Sequence, residues 1–189
     1  MVAVPSVGRR HLSRNGTVVR GAEMDVILPD AEAAGVRRKQ LTRMASNGVI
    51  ERVLQGVHRM TGAPEHPHER ILATWLALGG HQGAQRGTPP IVAAGETAAI
   101  LHDVGDFFLK ELEFIVQQRK STRLQSVKLR IRALGRAEVI VVHGVATLKV
   151  ERLIADLLDV HTDLSLVANV MAQAHTAGKL VSTSVREFS

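Results

Sequence analysis

The sequence has no cysteine and no tyrosine, and its 189 residues include one tryptophan and four phenylalanines. Without cysteine there is no disulfide framework, no thiolate nucleophile and no cysteine-based zinc site. Aromatics at 3% argue against a broad stacking platform for single-stranded nucleic acid. Long hydrophobic runs are missing too. The most apolar stretch, Val139 to Val150, is too short to span a bilayer and is interrupted by His143 and Gly144. Arg9 and Arg10 are followed by no apolar run, so the start does not read as a signal peptide. A soluble cytoplasmic protein with no membrane partner is expected.

The familiar catalytic signatures are also lacking. Gly80, Gly83 and Gly87-Thr88 lead to no Gly-Lys-Ser/Thr, and Gly105-Asp106-Phe107 is not a kinase triplet. No Gly-x-Ser-x-Gly appears. An enzyme with a familiar site is disfavoured, no catalytic residue is assigned and no cofactor is expected. His66 and His68 flank Pro67, but with no cysteine and no carboxylate at ligand spacing they read as linker, and no metal is expected.

What is present is a globular composition, 45% hydrophobic, in a chain long enough to bury a core. The net charge of +6 is unevenly placed: residues 1–62 hold ten Lys/Arg against five Asp/Glu, and 63–189 hold fourteen against thirteen. A basic module joined to a nearly neutral body points to a polyanionic partner.

Residues 1–22 read as a basic arm or a first helix. Pro29-Asp30 opens a short helix over 30–34, ended by Gly35. A second helix should run from Arg37 to Asn47, with Leu41, Met44 and Ala45 on one face and Lys39, Thr42, Arg43 and Ser46 on the other. After Asn47-Gly48, the runs 49–54 and 57–60 read as a hairpin. Helix, glycine turn, basic helix and hairpin is the order of a winged helix-turn-helix, assigned to 23–62. Lys39, Thr42 and Arg43 face a major groove in that reading. Arg37, Arg38, Ser46, Arg52 and Arg59 complete the DNA-contact set.

Residues 61–67, with Gly62, Pro64 and Pro67, mark the domain boundary. The rest, 63–189, reads as an α/β domain with a small sheet and terminal helices, so the fold class is α+β. A helix is expected over 68–78 and a short strand at 91–93, followed by a helix to about His102. Alternation gives strands at 112–116 and 127–131. Val139–Val142, apolar on both faces, is expected to be a central strand. Val150, Leu153, Ile154, Leu157 and Leu158 form one helical stripe, and Leu164, Val167, Ala168 and Met171 begin another. The run from Arg119 to Arg136 holds seven basic residues and no acid. Its strand face of Lys128, Arg130 and Arg132 is either a second basic surface or a partner for Glu111 and Glu113 on the neighbouring strand.

Ala34-Gly35-Val36-Arg37-Arg38-Lys39-Gln40-Leu41, Asn47-Gly48-Val49-Ile50-Glu51-Arg52-Val53 and Gln55-Gly56-Val57-His58-Arg59 together resemble the winged-helix start of AbiEi-type antitoxins of type IV toxin–antitoxin modules. Glu96–His102 and Glu151–Leu157 resemble two later stretches of that family. His58 stands where the family usually has Tyr, and Gln55 and Leu153 replace an Arg and a Thr. The resemblance implies an antitoxin that represses the promoter of its own operon and counteracts a nucleotidyltransferase-like toxin, acting as a monomer or weak dimer. Two rival expectations stand beside it. One is neutralisation of the toxin by covalent modification, an atypical protein phosphorylation. The other is a pure protein–protein module that grips the toxin.

Overall fold

In the strands at 112–116 and 127–131, alternation aims one set of side chains at each face, and the sheet they join is covered on both sides. The computed structural model describes residues 20–21, 24–27, 37–81 and 87–180. The helix read over 30–34 and all of the arm before residue 20 lie outside the described residues.

The elements run, in order, β1 (Arg20–Gly21), β2 (Met24–Ile27), α1 (Arg38–Ser46), β3 (Ile50–Leu54), β4 (Val57–Met60), α2 (Glu69–Ala77), β5 (Ile91–Ala93), α3 (Gly95–Leu101), β6 (Leu112–Val116), β7 (Val127–Ile131), β8 (Val139–Val142), β9 (Val145–Leu148), α4 (Val150–Asp159) and α5 (Leu164–Thr176). Two sheets result, ordered β1-β2-β4-β3 and β7-β6-β5-β9-β8. The architecture is α+β, and the larger sheet is mixed: β5 pairs antiparallel to β6 and parallel to β9, and β6 pairs parallel to β7.

The larger sheet separates two cores. On one face, Ile91, Ala93, Leu112, Phe114 and Val116 pack with α2 residues Ile71, Leu72, Trp75 and Leu76. On the other, Val92, Ala94 and Ile115 pack with Leu153 and Leu157 of α4 and Val167 and Val170 of α5. The first core also takes in Val57, with no exposure, and the partly buried Val53 and Leu54. The β3–β4 hairpin therefore shares its core with the body that follows it. Trp75 donates its indole N–H to the carbonyl of Ile91 (2.9 Å), so a buried donor is satisfied where helix meets sheet.

The expected central position of 139–142 is corrected. β8 lies at the sheet edge, with Ile140 and Val141 exposed. Its inner neighbour is β9, a fully buried strand that periodicity does not single out. The two are joined by His143-Gly144, both at positive φ (48° and 78°), while Val142 pairs with Val145. That is the geometry of a two-residue type I′ turn, whose twist matches the flanking strands.

No helix among the described residues is long and apolar enough to cross a membrane.

Candidate nucleic-acid interface

Helix α1 is held at both ends by local chemistry. The side chain of Gln40 accepts from the backbone N–H of Arg37 at 2.7 Å, which satisfies a donor at the helix start. At the other end Gly48 takes φ of 69° and the N–H of Val49 returns to the carbonyl of Met44 (2.9 Å). Leu41 and Met44 are half-buried, while Lys39, Thr42, Arg43 and Ser46 are exposed, as is Ala45. Lys39 and Arg43 have no acidic partner among the described residues. The hydroxyl of Ser46 donates back to the carbonyl of Thr42 at 2.9 Å, a bond internal to the helix.

In the hairpin that follows, the two arginines of the expected contact set differ. Arg52 on β3 is exposed and has no acidic partner among the described residues. Arg59 on β4 is occupied: its Nε and Nη2 donate to Glu51 (2.7 and 2.5 Å) and its Nη1 to Glu69 at 2.9 Å. The bond to Glu51, with Glu69 and Glu65 adding, raises its pKa. Arg59 ties the hairpin to the start of α2, in place of the phosphate contact read from sequence. Arg37 is exposed, and Arg38 opens α1.

The face carrying Lys128, Arg130 and Arg132 holds a closed ion-pair network, in place of an open second basic surface. Lys128 meets Glu113 at 2.6 Å. The parallel register that sets Glu113 opposite Lys128 makes this pair, the cross-strand reading for that acid. Arg130 donates from both terminal nitrogens to Asp156 on α4 (2.9 and 2.5 Å), and Arg132 bridges Asp156 and Asp159 (3.3 and 2.8 Å). Asp156 also accepts the backbone N–H of Gly95 at 3.2 Å. Burial disfavours the Arg130 cation, but the bonds and charge of Asp156, with Glu113 and Asp159, more than offset it and its pKa is raised.

Sequence reasoning missed Asp156 and Gly95. The available signal was an acid three residues after Leu153, beside the apolar stripe of α4. Gly95 sits at φ of 52°, and a Cβ there would fall 1.8 Å from the Glu113 carboxylate. The network joins β6, β7, α3 and α4.

The linker histidines are part of a small cluster. The rings of His66, His68 and His143 lie 4.7 to 5.8 Å apart, and Asp103 approaches His68 (3.8 Å) and His143 (4.0 Å). Burial, then His143, lower the pKa of His68; Asp103 opposes and His66 adds to the lowering. No group of three or more His, Asp or Glu among the described residues is arranged to hold a metal ion.

No family model matches this chain, and no curated protein matches it.

Proposed function

We propose that this chain is a DNA-binding regulator of the AbiEi antitoxin type, which represses its own promoter through a winged helix-turn-helix and counteracts a nucleotidyltransferase-like toxin through its α/β body. The observation that carries the reading is the outer face of α1, where Lys39 and Arg43 stand exposed one turn apart with no acidic partner among the described residues. Cations kept without internal partners at a helix surface suit base edges and phosphates, and one bidentate arginine–guanine contact is worth about 1–3 kcal/mol of discrimination. The exposed Arg52 on the hairpin after α1 supports the same reading. In this arrangement Lys39, Thr42 and Arg43 read bases, while Arg37 and Arg52 hold phosphates.

The test is fluorescence anisotropy with the duplex immediately upstream of the reading frame. Wild type should bind it more tightly than a scrambled duplex. Lys39→Ala/Arg43→Ala should lose at least about tenfold in affinity, 1.4 kcal/mol, with an unchanged melting temperature. Equal affinity of variant and wild type overturns the DNA-reading assignment. For the toxin, co-expression with the adjacent reading frame should restore growth that the neighbour alone arrests; continued arrest overturns that half.

A further inference from the structure

Seven cations lie between Arg119 and Arg136, and the fold sorts them. Lys128, Arg130 and Arg132 are held by Glu113, Asp156 and Asp159, and Arg136 donates to the carbonyl of Gly87 at 2.8 Å. The other three, Arg119, Lys120 and Arg123, are exposed and have no partner among the described residues. All three belong to the segment 117–126, which connects β6 to the parallel strand β7. That segment contains no acid; its other members are Gln, Ser, Thr and one Leu.

The segment is anchored. Gln117 donates to the carbonyls of Thr88 and Pro89 (3.2 and 3.3 Å), and the hydroxyl of Thr122 accepts the N–H of Leu124 at 3.1 Å. Leu124 packs on the core shared with the hairpin. A cavity of about 280 Å³ is lined by Val53 and Leu54 of β3, by α2 residues that include Glu69 and Arg70, and by Leu124, Gln125 and Val127. Arg52 and Arg123 each directly precede, in the chain, a residue that lines this cavity.

We propose that the 117–126 segment is a second phosphate-binding surface, which with Arg52 extends the α1 interface along the backbone of a DNA duplex. The inference rests on the DNA-binding reading and adds to it a sequence-independent contact from the α/β body. Cations on a pre-ordered segment, among hydroxyl and amide donors, match phosphate oxygens and carry no base preference.

The experiment measures affinity against salt for the full chain on the upstream duplex and a scrambled one. For Arg119→Ala/Lys120→Ala/Arg123→Ala, the slope of log affinity on log salt should become shallower by about 0.9 for each phosphate the variant no longer neutralises. Affinity should fall equally on both duplexes, leaving their ratio unchanged. Arg119→Lys/Arg123→Lys should keep the wild-type slope. A triple variant with wild-type slope, beside a Lys39→Ala/Arg43→Ala variant that binds weakly, overturns this inference and leaves the reading of α1 standing. Loss of toxin co-purification with no change in slope also overturns it, because the segment then faces a protein. Failure of wild type to bind either duplex overturns the reading beneath it.

Discussion

Arg130 closes on Asp156 with both terminal nitrogens, and Asp156 has no solvent exposure. The pair joins the outer strand β7 to helix α4 across the sheet face.

Removing one partner of a buried pair leaves the other uncompensated, which costs about 3–5 kcal/mol. Asp156→Ala should lower stability by that amount in urea unfolding. Adding Arg130→Met should recover part of the loss, with a coupling energy of at least about 1 kcal/mol. Additive losses would show that the two do not act as a pair.

Gly95 and Gly48 separate backbone strain from steric collision. Both adopt positive φ, but a Cβ at Gly48 meets nothing within 4 Å while one at Gly95 strikes Glu113. Gly48→Ala should cost about 1–2 kcal/mol, the ordinary penalty of a left-handed L-residue. Gly95→Ala should cost clearly more by thermal unfolding. Equal costs would show that Glu113 swings away freely.

Acid should destabilise the molecule through its histidines. His68 and His102 are both lowered from 6.5, His68 mainly by burial and then His143, His102 mainly by burial with Lys179 adding and the Leu148 carbonyl opposing. The unfolded chain therefore takes up protons at a higher pH than the folded one. The stability they contribute is fully present above 6.5 and is lost as pH falls through the window below it. Urea midpoints should drop as pH falls from about 6.5 to about 5. His143→Asn keeps a residue suited to the positive-φ turn and removes the neighbouring ring, so the His68 titration followed by NMR should move up toward 6.5. An unmoved titration would remove His143 as a cause.

Val141 is 65% exposed on the edge strand. Val141→Lys should change stability by no more than about 0.5 kcal/mol, as surface substitutions do. A loss typical of a buried strand would place β8 inside the sheet.

Much of the fold was legible because period and burial agreed. The stripes of α4 and α5, the alternation of β6 and β7, and the Asn47-Gly48 stop of α1 each name their element. β8 was misplaced because two-sided apolarity arises in a central strand and also in an edge strand whose outer face is left open. β9 was missed because Val-Ala-Thr-Leu carries little pattern, and the His-Gly turn before it lacks the usual asparagine. Alternation put Lys128, Arg130 and Arg132 on one face, but it does not say what covers a face. That depended on Asp156, which lies 24 residues along the chain from Arg132. For the same reason Arg52 and Arg59 looked alike in sequence, and only the placement of Glu51 and Glu69 tells them apart.

Val57 belongs to the hairpin by sequence and to the interior of the body by location. A fragment cut after residue 62 would carry that side chain into water and remove it, with Val53 and Leu54, from the core shared with α2. The front of the molecule is therefore a poor candidate for grafting onto another scaffold, and the portable unit is the whole assembly of hairpin, α2 and the larger sheet.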